Sequence, residues 1–456
     1  MASEHFRAFE EKMVAAGVMG PAIRAFERNY EALRREETGL IPEVEIEAAT
    51  GLPVHEDRGE KFDPALLAAT VVIKLNGGLG TSMGLEKVKS LLEVRPGVNF
   101  LDLIVRQIRS LRESTGAGVR LLLMNSFATS EDTLGHLRGH APADLAAAGE
   151  VELMQNQAPK IDAATLQPVS WPANPDLEWC PPGHGDLYPA LVGSGWLDRL
   201  LAEGVRYAFV SNSDNLGAVL SPELLSFFAA SGAPFLMEVT RRTAADRKGG
   251  HLARRKSDGR LLLREVAQCP DEDMEAFQDI DRHQYFNTNS IWLRLDLLKN
   301  ALAEAGGVLP LPMIRNRKTV DPRDKASTAV IQLETAMGAA IECFDGARAI
   351  EVPRSRFAPV KTTSDLLALR SDAYRVGADG SVELAPERAG KPPVVKLDER
   401  YKFVDALDGL GVPSLIACEQ LEIRGAVKFP PGVVLRGEVV FDGGEGTLDV
   451  APGEYP

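Results

Sequence analysis

The sequence predicts an α/β protein of two or three domains, and three features lead there. From Val71 onward, apolar runs of strand length alternate with amphipathic segments of helical period. The first such run, Val71-Val72-Ile73, enters a loop that carries Gly77, Gly78, Gly80 and Gly84 and is closed by Lys87 and Lys89. Near the other end, Leu421 to Val440 moves in short apolar steps separated by Gly425, Gly432 and Gly437, a pattern of stacked short strands such as a few coils of a β-helix. At 456 residues the chain is also too long for one ordinary core.

Residues 1 to about 40 read as two helices. Phe6, Phe9 and Met13 share a face of the first, and Ile23, Phe26, Tyr30 and Leu33 a face of the second, with Gly20-Pro21 between them. Residues 41–64 carry Pro42, Gly51, Pro53 and Pro64 and read as a linker. After the glycine loop, Phe100, Leu103, Ile104, Ile108 and Leu111 recur at helical spacing. Val119 to Met124, Tyr207 to Val210 and Phe235 to Val239 read as buried strands. The first two end at Asn125-Ser126 and at Ser211-Asn212-Ser213-Asp214-Asn215. Residues 249–267 form a hairpin turning at Asp258-Gly259, and Ile291 to Leu293 continues the β character. Val330, Leu333, Met337, Ala340 and Ile341 predict a helix, and another begins at Ser364-Asp365. A Gly- and Pro-rich break spans 376–398. The resulting division is a helical segment and linker over 1–63, a central domain over 64–376 and a C-terminal domain over 395–456.

The formal net charge of −14 argues against nucleic acid as a partner, because backbone phosphates need a basic surface. No apolar run reaches the roughly 20 residues that span a bilayer, and the charged N-terminus lacks the apolar core of a signal peptide. Cys180, Cys269, Cys343 and Cys418 are far apart and form no CxxC pair, which suits reduced thiols in a cytoplasmic protein and disfavours zinc.

A strand that ends in a glycine-rich loop can turn backbone N–H groups toward an anion, and a lysine adds a mobile charge. The loop is not a Walker A sequence, and it fails G-x-G-x-x-G because Met83 stands at the third glycine. A tight turn with two solvated lysines is the competing reading. Gln155-Asn156-Gln157 offers amides that can pair with a nucleobase edge or remain polar surface. His184 lies between two glycines in Pro181 to Asp186, an exposed turn that gives it little to pack against. Asp214, at a strand end, suits Mg2+, which binds through one or two carboxylates plus substrate phosphates; an Asx-turn is the alternative. Asn287-Thr288-Asn289 offers paired amides for sugar hydroxyls or for a turn. Lys361, with Arg354 and Arg356, forms a second cationic cluster. No Ser-His-Asp signature, HExxH or EF-hand loop is present.

Taken together, these segments resemble the eukaryotic-type UTP–glucose-1-phosphate uridylyltransferases, over roughly residues 65–445. The resemblance rests on seven motifs in the family's order: KLNGGLGTSMG at 74–84, PPGHGDLY at 181–188, SNSDNLGA at 211–218, KGGHL at 248–252, FNTNSIW at 286–292, VIQLETAMGAAI at 330–341 and PRSRFAPVKTTSDLL at 353–367. It implies a Rossmann-like nucleotidyltransferase domain, a C-terminal left-handed β-helix and Mg2+ as cofactor. It further implies that the backbone of Leu75, Asn76, Gly77 and Gly78 cradles UTP, that Lys89 neutralises its phosphates, and that Gln155 and Gly183 hold the uracil. His184 then contacts the sugar phosphate, and Asn212, Ser213 and Asp214 lie near the phosphates and metal. Asn289 holds glucose hydroxyls, and Lys361 bridges both phosphates. Three positions depart from the family: Val88 stands where proline is usual, Ser213 replaces an apolar residue and Ser290 an asparagine. Relatives associate through the last β-helix coil, so homo-oligomerisation through the C-terminal domain is an expectation, set against a tail that closes at GTLDVAPGEYP.

The implied reaction joins UTP and glucose 1-phosphate into UDP-glucose and releases pyrophosphate. The attacking phosphate oxygen is already an anion, so no general base is needed; two mutually repelling phosphates must be aligned and their charge neutralised. Other readings are a UTP-dependent pyrophosphorylase for another sugar 1-phosphate, a non-catalytic UDP-sugar-binding protein and a dinucleotide-dependent oxidoreductase.

Overall fold

Alternation of side chains along buried strands sorts the apolar residues of this chain into two layers. A computed structural model describes residues 4–55, 63–85 and 87–456; Glu86 of the glycine stretch, the first three residues and 56–62 of the linker lie outside the described residues. Among them, ten strands form the central sheet: β1 (Ile46–Ala48), β2 (Thr70–Leu75), β3 (Arg120–Asn125), β4 (Glu152–Met154), β5 (Tyr207–Asn212), β6 (Phe235–Arg241), β7 (His251–Arg255), β8 (Leu261–Arg264), β9 (Tyr285–Arg294) and β10 (Arg348–Glu351). The order is β1-β7-β9-β5-β2-β3-β4, with β6 on β9 and β10 and β8 on β7. Strands β5, β2, β3 and β4 run parallel, and β9 is antiparallel to both β5 and β6. Val72, Leu121, Leu123 and Phe209 enter one core cluster, whereas Val71, Ile73, Leu122, Met124, Ala208 and Val210 enter the other.

The predicted N-terminal helices are α1 (Arg7–Ala15) and α2 (Gly20–Arg34). Phe6, Phe9, Met13, Phe26 and Tyr30 pack against Ala158, Ile161, Cys180 and Leu333. The segment read as a linker contributes β1, which pairs with β7 through Ile46 and Arg255. The hairpin turns where expected, with Gly259 at φ 71°. The helix expected over 330–341 is instead a strand, Ala329–Glu334, followed by a 3-10 turn, Met337–Cys343. Val330 packs on Val169 and Val320, while Ile331 and Leu333 face the N-terminal helices. A period of two thus fits this segment, and the apolar turn that follows mimics a helical repeat. The next helix is Thr363–Arg370, capped by Thr362 with Asp365 closing the capping box, two residues ahead of the expected cap.

C-terminal strands β11 (Val394–Lys396), β12 (Ser414–Lys428), β13 (Val433–Asp449) and β14 (Gly453–Tyr455) pair in parallel, each with the next. Gly425 and Gly437 turn corners at φ 71° and 62°. Leu415, Leu421, Val427 and Val433 belong to the same apolar cluster as Val72 and Phe100. A Cβ on Gly84 would lie 2.8 Å from the Phe403 ring, so the far end of the glycine loop rests on the C-terminal segment. All four cysteines are free thiols. Among the described residues no helix is long and apolar enough to cross a membrane.

Candidate active site

Four parallel strands end side by side. Leu75 is paired with Asn212 on one flank and Met124 on the other, and Asn125 with Met154. The segments that leave them, at Asn76, Ser126, Gln155 and Ser213, therefore emerge along one edge, where ligands of open α/β sheets bind. Asn76 is buried; its Nδ2 donates to Asn125 Oδ1 (2.8 Å) and Thr133 Oγ1 (2.9 Å), and its N–H to Met124 O (2.8 Å). These bonds pin the start of the glycine loop. The Gly77 carbonyl accepts from Ser126 Oγ at 2.9 Å, and a Cβ on Gly77 would lie 2.6 Å from Gln155 Oε1. Gln155 Nε2 in turn donates to the Gly183 carbonyl at 3.0 Å, so three sequence-distant segments meet.

Gly183 has φ 81° and ψ 169°, a region essentially reserved for glycine. A Cβ there would meet Thr335 O at 2.4 Å. Thr335 fixes this turn: its N–H donates to Pro182 O (3.0 Å) and its carbonyl accepts from Gly185 N–H (2.8 Å). His184 Nδ1 accepts from Met337 N–H at 2.9 Å. Burial pushes its pKa down to about 4, so the ring is neutral at pH 7 and carries its proton on Nε2, as a donor. Behind it, Asp186 accepts from Asn156 N–H (2.7 Å) and Nδ2 (3.0 Å). Asn156 Oδ1 accepts from Met19 N–H at 3.3 Å, so the residue that leads into α2 braces the turn.

Lys89 Nζ donates to Asp214 Oδ2 at 2.6 Å. The Lys89 N–H reaches Gly78 O (3.3 Å), and Leu79 bridges Val88 in antiparallel fashion, so the glycine loop folds back to deliver Lys89. The loop 354–361 docks on the β5 end. Asn215 Nδ2 donates to Arg356 O (3.0 Å), Ala358 N–H to Asn215 Oδ1 (3.1 Å) and Val360 N–H to Asp214 O (3.1 Å). Lys361, the next residue, lies with Nζ 5.8 Å from the Phe357 ring centroid. Burial raises the Glu265 carboxyl pKa against the opposing pull of Lys361 and of a hydrogen bond from Asn287. In β9 the register breaks opposite Glu238 and Val239, so that Thr288 and Asn289 bulge. Asn289 takes φ 55°, and its Oδ1 accepts from Asn287 Nδ2 at 2.8 Å. Strained backbone of this kind collects at functional sites.

The family model for UTP–glucose-1-phosphate uridylyltransferase matches residues 23–436. The chain belongs to this family. Over 392 residues it is 43% identical to the UTP–glucose-1-phosphate uridylyltransferase of Solanum tuberosum, covering 85% of this chain and 79% of that one. Over 381 residues it is 42% identical to that of Saccharomyces cerevisiae, covering 82% and 74%. Its structure matches a mutant UDP-glucose pyrophosphorylase from Leishmania major in complex with UDP-glucose at TM-score 0.94 and 47% identity, covering 100% of this chain and 98% of that one. A Trypanosoma brucei UDP-glucose phosphorylase matches at TM-score 0.90 and 48% identity, with 99% and 98% covered. As a UTP–glucose-1-phosphate uridylyltransferase, the chain is a nucleotidyltransferase that makes UDP-glucose from UTP and glucose 1-phosphate.

In this uridylyltransferase the sequence-derived residues fall into three groups. Gln155 lies against Gly77 and hydrogen-bonds Gly183; Lys89, Asp214 and the segment before Lys361 meet at the end of β5; Asn289 stands on the β9 bulge. Lys361 Nζ itself stands over the Phe357 ring. Leu75 takes part through its carbonyl, which accepts from Ser213 N–H at 3.1 Å, and the Asn212 carbonyl accepts from Asn215 N–H at 3.3 Å. Gly78 faces open space, with nothing within 4 Å of the point where a Cβ would stand. Sequence reasoning missed Glu265, Thr335 and Glu238, a buried carboxylate that accepts from Arg356 Nε at 2.8 Å. Thr335 lies in the segment whose period imitates a helix, and Glu265 closes a hairpin strand whose sequence signals only the turn.

Proposed function

We propose that UTP lies across the β2 and β3 loop ends and glucose 1-phosphate against the β9 bulge, with Lys89 and Lys361 closing on the phosphates from two sides. The observation that carries this reading is the junction at Asp214: its carboxylate holds Lys89 (2.6 Å) while its carbonyl accepts from Val360, the neighbour of Lys361 (3.1 Å). One residue thus ties both cations to the β5 end. The backbone of Leu75 to Gly78 cradles the nucleotide. Gln155 is oriented by its bond to Gly183, which leaves Oε1 as an acceptor suited to the N–H of a uracil ring rather than the unprotonated nitrogen of cytosine. His184, neutral, donates from Nε2 to the sugar phosphate. Asn289, backed by Asn287 and Glu265, takes glucose hydroxyls, while Asn212 and Ser213 border the phosphates.

The sugar phosphate oxygen forms the bond to the α-phosphorus of UTP, the bond to pyrophosphate breaks, and no proton need move. The chain's contribution is alignment and cationic stabilisation of the charge that shifts toward pyrophosphate. Mg2+ fits the donor set. Asp214 Oδ1 is buried and without a hydrogen-bond partner, and among the described residues no three His, Cys, Asp or Glu side chains converge. Asp214 would hold the ion alone, with phosphates and water as further ligands, and the ion would neutralise phosphate charge. The same reading takes 64–376 as a Rossmann-like catalytic domain, 1–63 as its helical brace and 395–456 as a left-handed β-helix through which a cytoplasmic homo-oligomer forms. Lys361→Ala, assayed by pyrophosphate release, should lower kcat about 100-fold or more with UTP binding nearly kept; near-normal turnover would remove the reading.

A further inference from the structure

Glu238 is fully buried in β6, yet it holds a charged partner. Arg356 Nε donates to its Oε2 and a terminal nitrogen to its Oε1, both at 2.8 Å, and Trp292 Nε1 donates to Oε1 at 2.9 Å. The Arg356 side chain is 12% exposed and also donates to the Val219 carbonyl at 3.0 Å. A bidentate pair of this kind fixes direction as well as distance. Two features of the site hang from it. Arg356 belongs to the loop that ends in Lys361, whose backbone is clipped to Asn215 and Asp214. Glu238 also uses its main-chain carbonyl, which accepts from Thr288 Oγ1 at 2.7 Å, at the point where the β6–β9 register breaks and Asn289 turns to φ 55°. The loop packs closely on Gly217, where a Cβ would lie 2.2 Å from Ser355 O. A second pair, Arg354 on Asp246 at 2.7 and 2.9 Å, holds the outer end of the loop, with Arg354 39% exposed.

We infer that the Arg356–Glu238 pair is a positioning device that sets the Lys361 loop and the Asn289 bulge in one fixed relation, so that the cation and the sugar subsite are aligned together. Neither residue is assigned a contact with substrate. The inference rests on the proposed role of Lys361. A misplacement of about 1 Å in such a constellation costs on the order of 10²-fold in rate. None of the residues proposed to hold the uracil, Gly77, Gln155 and Gly183, is hydrogen-bonded to the pair.

The test is a double-mutant cycle in the full-length chain. Arg356→Lys keeps the charge and loses the fork. Its kcat should fall about 10- to 100-fold and its KM for glucose 1-phosphate should rise, with the UTP Kd within about threefold of the parent. In a Lys361→Ala background the same substitution should cost less than about twofold in kcat, because the cation it positions is gone, while the rise in KM for glucose 1-phosphate, which reports the Asn289 bulge, should remain. Equal losses in both backgrounds, or an unchanged kcat, would overturn the inference and leave the pair a packing element. A Lys361→Ala enzyme near the parent rate would instead strike the reading of Lys361 itself, so the two failures are distinguishable. Should Arg356→Lys melt below the assay temperature, Glu238→Gln, which keeps the side-chain shape and the acceptor for Trp292, carries the same comparison with the same expected pattern.

Discussion

Gly183→Ala is expected to damage uracil binding through the backbone alone. At φ 81° and ψ 169° the residue occupies a region that costs a side chain about 1–3 kcal/mol. The new methyl would stand 2.4 Å from Thr335 O and 2.8 Å from Thr335 N, both main-chain atoms that hydrogen-bond the same turn. Relief needs a shift of about 1 Å, which pulls the Gly183 carbonyl from Gln155 Nε2 and forfeits about 1 kcal/mol more. The total, about 2–4 kcal/mol, divides between fold stability and UTP affinity; if borne by binding it weakens UTP roughly 30- to 700-fold. Calorimetric titration with UTP and denaturant melts on the same preparation measure both shares. A variant that binds UTP within about threefold of the parent and melts within about 0.5 kcal/mol of it would refute the account of this turn.

Val88 has φ −57°, within the range that proline's ring fixes, and an extended ψ of 133° that proline also adopts, and it is buried at the Leu79 bridge. Val88→Pro should therefore be tolerated, with kcat within about twofold and stability within about 1 kcal/mol; a larger loss in a melt would contradict the geometry. His184 is depressed from 6.5 to about 4 by burial, so the stability it contributes is present above pH 6.5 and is lost as pH falls through about 4. Half-buried as it is, the share is about 2 kcal/mol. His184→Gln should flatten the acid limb of a stability–pH curve by that amount, and parallel curves would count against it. Asp214→Asn should lower kcat about 100-fold and move the Mg2+ activation midpoint upward; an unmoved midpoint would take Asp214 out of the metal's reach.

The strands, the N-terminal helices and the glycine loop were legible because each rests on local pattern: Val71 to Ile73 has to be buried, and Phe6, Phe9 and Met13 make a stripe whatever they meet. The candidate site was legible through motif resemblance, and Gln155, far from both in the chain, lies against Gly77 and hydrogen-bonds Gly183. What escaped depends on distance in sequence. Arg356 reads as surface charge until Glu238, more than a hundred residues earlier, is seen buried beside it. The β9 bulge is marked only by a run of four polar residues, Asn287 to Ser290, which reads equally as a turn, and its place in the sheet is set by pairing with Glu238 and Val239. The 330–341 segment satisfies a helical period by coincidence, and only its pairing with Ile314–Thr319 decides for a strand. Val88, which on sequence alone looks like a loss of rigidity, holds the loop by burial where proline would hold it by its ring.

The shared apolar cluster has a consequence for synthesis. Leu67, Val72 and Phe100 leave the ribosome about three hundred residues before Leu415 and Val433, with which they form one core. Gly84 likewise waits for Phe403. A nascent chain can therefore pair β2 with β3 early, but it carries an unfinished apolar flank and an unsupported glycine loop until its last coils emerge. The cleft proposed for UTP is among the final parts of the molecule to be completed, and chaperone capture during translation should centre on the flank that Leu415 to Val433 later covers.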